Sequence, residues 1–575
     1  MAMGKWRLAA AGLALTGLAP AQAQDKAPLT YWGTETADAA ALARQYEPKK
    51  GTMGVAQHAM VAACHDASVA IGIDILRRGG SAADAFIAVT FADYVQAPGT
   101  SSIGGPMGAI VYDAKTKQVA TLLAPLKAVR SPTGQWTAGE QAAGKQVMVP
   151  GAVAGLQALH KRYGRLPWAE LVRPAARLAR TGFTVNWLYA GVVRGFASAA
   201  GASDYGRKTF FHVDGSPLAI GETLKLPLLA ETLDGIAAHG AAFLRRGRWA
   251  KEAVEAVHAK GGEMVAADLA GYRAEWAPAI DAEYRGFTVY ALGGKDNGGA
   301  RLLLGLETLA HADIARIGHY SESLDGLETM VRVSRAVGAE ATLYDHATFD
   351  RPGAIETLLD GRRAGQLWDQ VIARRAPGEA TPTGTHSYSV AVVDAEGNAI
   401  AGTHTIESLP FGSGIFVGGV PLNNAGLQHP YVAGAPGSTP PGADLIEPLS
   451  AVLAFEQGRL VLASSTFSAS LWPADLELVS SILDFDWSPG RVALTPRFGG
   501  PNVDLVKLTA DISTTMLDKR YSPELVSRMK ARGLSFTQAG YIDTGMLVMI
   551  KQDRKTRELS GFTPEQLPEG QAGGY

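Results

Sequence analysis

Hydrophobic and polar positions change period along this chain, and the changes predict its elements. From Tyr388 to Val392 large residues alternate with small ones, so Ser387, Ser389 and Ala391 share one face of a strand. Glu396-Gly397-Asn398 then supplies turn chemistry, and a second strand follows over Ala399 to Ile406. Earlier in the chain Val69, Ile73 and Leu76 recur at helical spacing between Ala67 and Arg78, and Gly79-Gly80 stops that helix. Ser81 is placed to cap a second helix, Ala82 to Tyr94. A glycine-rich turn, Ser102 to Gly108, precedes a strand over Ala109 to Tyr112. Met148 to Leu156 reads as a turn into a helix, and Tyr163 to Trp168 as a loop into another. The folded core is expected to begin near Gly54, after a polar, mobile leader over residues 25–50. Residues 351–383, rich in Arg, Gly, Pro and Thr, read as a linker or exposed tail.

The first residues have a different pattern. Lys5 and Arg7 precede an apolar run from Leu8 to Leu18, and Ala21-Gln22-Ala23 forms a small-residue cleavage site. This is the pattern of a secretory signal peptide over residues 1–23, too short to span a membrane. Export, most simply to a periplasm, with a mature start at Gln24, is the expectation. The 575 residues are 47% hydrophobic and 19% charged with a net charge of −2, which suits a large globular protein. That near-neutral balance makes no electrostatic case for nucleic acid or an anionic membrane as partner. The single cysteine, Cys64, rules out an internal disulfide and sits in an apolar stretch that is expected to be buried.

Few motifs carry chemistry. The twelve histidines are scattered, with no metal-ligand spacing, so neither a metal nor another cofactor is expected. The turn Ser102–Gly108 lacks the Gly-Lys-Ser/Thr of a phosphate-binding loop, and Gly412-Ser413-Gly414 does not make a nucleophile elbow. What remains is a strand that starts with several hydroxyls and a histidine: Thr385, His386, Ser387 and Ser389. A hydroxyl is a weak nucleophile and needs an adjacent base. A chain-terminal amine, titrating near about pH 8, can serve as one.

The stretch from Ser387 to Asn398 resembles the start of the small subunit in gamma-glutamyltransferases, members of the N-terminal nucleophile (Ntn) hydrolases. The resemblance extends through the helix, Gly-Gly, helix arrangement at 67–94 and Ser102–Gly108. It continues through Met148–Leu156, Tyr163–Trp168, Asp268–Tyr272 and Asp296–Gly299. Phe411–Gly414, Pro421–Asn424, Glu447–Ser450 and Pro496–Phe498 complete it, so it covers nearly the whole mature chain. It implies an α+β fold, a four-layer αββα sandwich forming one large domain. It also implies self-cleavage between His386 and Ser387 into a large subunit (24–386) and a small subunit (387–575). Ser387 becomes the nucleophile, with its own α-amine as base; Thr385 or Ser389 takes that place if the correspondence carries a gap. Thr405, eighteen positions on, matches the threonine that supports the nucleophile and its release. The resemblance further implies a substrate site from Glu407, Asn424, Gln428, Ser450, Thr466 and Phe467, with residues 431–448 as a lid.

Several of these positions depart from the family. Thr121 stands where an arginine grips the glutamyl carboxylate, and Gln428 where an aspartate holds its α-amine. Thr466 and Phe467 replace the paired glycines of the oxyanion hole, and Glu407 replaces an asparagine. Loss of a guanidinium removes a bidentate clamp. A carboxylate at 407 suits a cationic or hydrogen-bond-donating group, though a solvated strand-end charge fits equally. The expected substrate is therefore a small amide or acylated amine without the full glutamyl head, and not glutathione. A gamma-glutamyltransferase with substitute binding residues and a non-catalytic binding protein stay open as alternatives.

Overall fold

The computed structural model describes residues 53–132, 142–344, 346–373, 387–407, 409–427, 429, 439–467, 471–500, 502–504, 509–511, 514–539, 544–563 and 571–575. The strand Ser387–Val393 is buried at every position, so both of its faces need cover. Its large residues take one side: Val390 and Val392 pack with Val61, Ile400, Phe86 and Val89 in a core shared with helices. Its small residues take the other: Ala391 packs with Ala62, Ala401 and Ala463 in a core between two sheets. The large–small alternation of the sequence is thus the alternation between a helix-facing and a sheet-facing side.

Both sheets have seven strands. In the first, the strands run in the order Met53–Ala56, Leu559–Phe562, Met546–Gln552, Arg459–Phe467, Val452–Glu456, Phe287–Ala291 and Ile280–Tyr284. In the second the order is Gln571–Gly574, Met60–Ala63, Ser387–Val393, Ala399–Thr405, Met107–Asp113, Gln118–Ala124 and Glu275–Pro278. All neighbours in both are antiparallel. Helices Asp66–Arg77, Ala82–Gln96 and Ala152–Tyr163 cover the second sheet. Helices Asn297–Ala310, Leu324–Gly338 and Leu471–Leu483 cover the first. The protein is an α+β, four-layer αββα sandwich. Among the described residues no helix is long and apolar enough to cross a membrane.

Asp394 fixes the register of the central hairpin. Its Oδ1 accepts the backbone N–H groups of Glu396 and Asn398, each at 3.0 Å. Its Oδ2 accepts Asn398 Nδ2 at 2.8 Å and the Ala82 N–H, at the start of the central helix, at 3.0 Å. That helix begins as expected, with Ser81 and Asp84 in a capping box, and runs to Gln96. A second constraint acts at the far end of the hairpin. Thr405 and Ile406 donate to the carbonyls of Pro106 and Thr100 (3.4 and 3.2 Å), so the glycine-rich turn cradles the end of the Thr405 strand. Asn423 locks this turn in place, donating to Gly104 O and Met148 O, each at 2.9 Å.

One expectation needs correction. Residues 351–373 are not a plain linker: helices Ala354–Leu358 and Arg362–Ile372 form there, and the second buries Ala364, Leu367 and Val371. Those three positions make one apolar stripe at helical spacing, which the surrounding arginines and glycines obscure in composition. The remainder of that stretch (374–383), the signal peptide, the leader and residues 431–438 of the lid lie outside the described residues.

Gly105 is the tightest point of the cradle, because a Cβ there would run into the Thr405 carbonyl, a backbone group with no room to move. Gly105→Ala is expected to lower stability by about 1–3 kcal/mol, read as a fall in thermal midpoint. Gly365→Ala, in a helix with open space around it, is the control and should be neutral or stabilising by up to about 1 kcal/mol. Equal midpoints for the two variants would contradict this account.

Candidate active site

Ser387 is the first residue of its strand and pairs directly with Thr405; Ser389 pairs with Thr403 two residues on. All four side chains lie on the sheet-facing side, where small residues leave room for polar groups. Ser387 is 5% exposed and Thr405 fully buried. Thr405 Oγ1 accepts the Glu407 N–H at 2.9 Å and so holds the chain as it turns away from the strand. Glu407 makes that turn with φ +53°, a left-handed conformation that a non-glycine residue adopts at a cost of about 1–2 kcal/mol. Its carboxyl is buried and takes no hydrogen bond from a described residue, and burial pushes it up to about 7.

Behind Ser387 the two sheets are joined by hydroxyls. Ser389 Oγ lies 2.9 Å from Ser465 Oγ and donates to Thr466 O at 3.1 Å. Thr403 Oγ1 donates to Ser450 O at 2.5 Å, and Ser465 Oγ donates to the same carbonyl. Ser450 Oγ accepts the Thr466 N–H at 2.9 Å. An oxyanion donor at Thr466 would therefore have to leave Ser450 first. At the end of this seam Asp475 is 2% exposed, with Oδ1 lacking a partner among the described residues. Burial pushes its carboxyl up to about 7, against opposing hydrogen bonds from the Ser450 and Thr466 hydroxyls.

The helix-facing side carries charge. Asp93 Oδ1 meets His65 Nδ1 at 2.9 Å, and its Oδ2 lies 3.3 Å from His404 Nε2. His404 Nδ1 in turn meets Ser101 Oγ at 2.7 Å. Burial alone would raise the Asp93 carboxyl, but its contacts with His404 and His65 outweigh burial and hold it below the usual carboxylate range. Tyr388 stacks on both imidazoles, so the residues flanking the Ser387–Thr405 pair rest on this cluster. Cys64 is buried, and burial pushes its thiol well up.

Ser387, Thr405, Glu407, Ser450 and Thr466 are thus linked through one register and one hydroxyl seam. Phe467 stacks with Tyr388 at 5.9 Å. Asn424 accepts the Leu409 N–H at 3.2 Å, steadying the loop after Glu407. Ser389 is fully buried and its hydroxyl is committed across the sheets. Thr121 is fully buried too, its Oγ1 accepting the Gly293 N–H at 3.0 Å. Thr385, His386 and Gln428 lie outside the described residues. Sequence reasoning missed His65, Asp93, His404 and Asp475. For the two aspartates a signal exists: each lies in a mostly apolar, fully buried helix, Asp93 along with Asp84 and Asp475 along with Glu477, where a carboxylate demands partners. Among the described residues no three His, Cys, Asp or Glu cluster as metal ligands.

The buried Asp475 carboxyl makes stability depend on pH. A carboxyl raised in the folded state favours folding while protonated, so its contribution falls as pH climbs from the unfolded value toward about 7. The slope is about 1.4 kcal/mol per pH unit for one group. Asp475→Asn is expected to raise the thermal midpoint at pH 8 and leave it nearly unchanged at pH 4. A midpoint lowered at pH 8 would refute the assignment.

The family sequence description "Gamma-glutamyltranspeptidase" matches residues 68–572. The Glutathione hydrolase proenzyme of Escherichia coli (strain K12) is 26% identical over 557 residues, covering 90% of this chain and 92% of that protein. The Acylase ACY 1 proenzyme of Pseudomonas sp. (strain V22) is 30% identical over 475 residues, covering 78% of this chain and 83% of that one. Among solved structures, cephalosporin acylase from Bacillus halodurans superposes with a TM-score of 0.78 at 22% identity, covering 92% of this chain and 98% of that chain, a likeness of fold. With an Ntn-hydrolase sandwich and a family match over nearly its whole length, the chain belongs to the gamma-glutamyltranspeptidase family and is an enzyme of its amidohydrolase and acyltransferase kind.

Proposed function

We propose that this enzyme is exported through the signal peptide at 1–23 and cleaves itself between His386 and Ser387. The products are a large subunit (24–386) and a small subunit (387–575) that stay together. The proenzyme names of its relatives support two subunits from one precursor. Ser387 Oγ attacks the His386 carbonyl, the peptide nitrogen leaves as the Ser387 amine, and water hydrolyses the resulting ester. The freed Ser387 then attacks the carbonyl of a substrate amide, its α-amine taking the hydroxyl proton and passing it to the leaving amine. Water resolves the acyl-enzyme. Thr405 orients the nucleophile, and backbone groups at Thr466 and Phe467 meet the oxyanion once the Thr466 N–H leaves Ser450.

The observation that carries this reading is the Ser387–Thr405 pair, buried opposite each other at the end of the central hairpin. The substrate is a small amide or acylated amine without a glutamyl head. Thr121, engaged with Gly293, supplies no carboxylate clamp, and acylases stand among the relatives. A second reading, glutathione hydrolysis with substitute binding residues, is favoured by relatives of that name. Release of p-nitroaniline from a gamma-glutamyl anilide would establish it in place of the first.

Intact mass and N-terminal sequencing of the secreted protein test the processing step. Two chains are expected, the smaller starting at Ser387. Ser387→Ala should remain a single chain, Ser387→Thr should still be cut, and Thr405→Ala should slow cutting about tenfold, the effect of one lost hydrogen bond. A smaller chain starting at Thr385 or Ser389 would move the nucleophile. A single wild-type chain would overturn the mechanism and favour a non-catalytic role.

A further inference from the structure

Two carboxyls near the Ser387–Thr405 pair meet no positive group among the described residues. Glu407, two residues beyond Thr405, is buried in a left-handed conformation with its carboxyl unpartnered among the described residues. Glu447, three residues before Ser450, is 1% exposed; its Oε1 accepts the Leu126 N–H at 3.0 Å, and its Oε2 has no partner among the described residues. The charges that act on Glu447 are all negative: Glu407 first, then Asp296 and Asp444. The two nearest lysines are already taken. Lys127 pairs with Asp444 at 2.6 Å and also faces Glu275, and Lys295 pairs with Asp350 at 2.7 Å. Two buried carboxyls that raise each other's cost of ionising, one of them on a left-handed backbone, are costly unless something compensates.

Resting on the amidohydrolase reading above, we propose that Glu407 and Glu447 form a cation-binding subsite beside Ser387, and that the acyl group this enzyme transfers carries an ammonium and no carboxylate. An ammonium offers three donors and a full positive charge, which answers the free oxygen of Glu447 and the carboxyl of Glu407 together. An acyl chain that ends in a carboxylate offers neither carboxyl a positive partner, and whatever fraction of them is ionised repels it. The subsite thus inverts the preference that an arginine at position 121 would create. Two hydroxyl-anchored elements hold it close to the reacting atoms. The Thr405 hydroxyl fixes the backbone of Glu407, and the strand contacts of Ser450 anchor the segment that bears Glu447.

The test uses the mature two-chain enzyme and three p-nitroanilides of similar length: 4-aminobutyryl (cationic), pentanoyl (neutral) and glutaryl (anionic). The expected kcat/KM for 4-aminobutyryl exceeds that for pentanoyl by about 10- to 100-fold, the effect of charge-assisted hydrogen bonds, with glutaryl lowest. Glu407→Gln and Glu447→Gln should each bring the cationic-to-neutral ratio close to one. A preference for glutaryl, or a ratio unchanged in both variants, would overturn the proposal. Hydrolysis of pentanoyl anilide that is lost in Ser387→Ala reports on the amidohydrolase reading separately. If no anilide turns over, calorimetric titration with 4-aminobutyramide and with glutaramate decides. Binding of the cation alone, lost in Glu407→Gln, sustains the subsite, while binding of glutaramate or of neither ligand refutes it.

Discussion

Asp394 gathers four donors, three from its own turn and one from the start of the helix that caps the second sheet. Everything at the site depends on the register this carboxylate sets. Side chains alternate across a strand, so a slip of one residue between the two central strands would carry Ser387 to the helix side. With Asp394 in place, Ser387, Ser389, Thr403 and Thr405 all face the opposing sheet. The hydroxyls of Ser389 and Thr403 then find Ser450, Ser465 and Thr466 there.

Much of this was legible in the sequence, because the governing patterns are local. The alternation in Tyr388–Val392, the Ser81–Asp84 cap and the glycine-rich turn before Met107 involve residues a few positions apart. So does the turn at Glu396–Asn398, and each appears where the residue types require it. The helix Arg362–Ile372 was not legible, because its three buried positions are spread among arginines, a glycine and other polar residues. The partners of Asp93 and Asp475 were hidden for a different reason. His404 follows Asp93 by some three hundred residues, and Ser450 meets Asp475 only because two sheets stack. Such pairings are products of topology, and no window along the chain contains both members.

The two faces of the central hairpin divide the electrostatic labour. On the sheet-facing side the groups are neutral hydroxyls, ending in carboxyls that burial favours in the protonated form. On the helix-facing side Asp93 is held ionised between two imidazoles, and Tyr388 lies across both. A reacting hydroxyl on the first side is thus surrounded by groups able to move protons over short distances. The second side contributes a charged foundation buried away from solvent.

The order of strands has a consequence for assembly. In the second sheet, Met60–Ala63 lies beside Ser387–Val393, and Met107–Asp113 lies beside Ala399–Thr405; the C-terminal strand Gln571–Gly574 closes the edge next to Met60–Ala63. The first sheet interleaves the two halves of the sequence in the same way, with Met53–Ala56 next to Leu559–Phe562 and Phe287–Ala291 next to Val452–Glu456. A break ahead of Ser387 would leave two polypeptides woven through each other, each lacking the strands that complete its own sheets. The core beneath the helices of the second sheet is drawn mostly from residues ahead of the break, while the core between the sheets draws on both pieces. Both sheets would then be complete only while the two polypeptides stay together, so the backbone could be cut at this point without the fold being released.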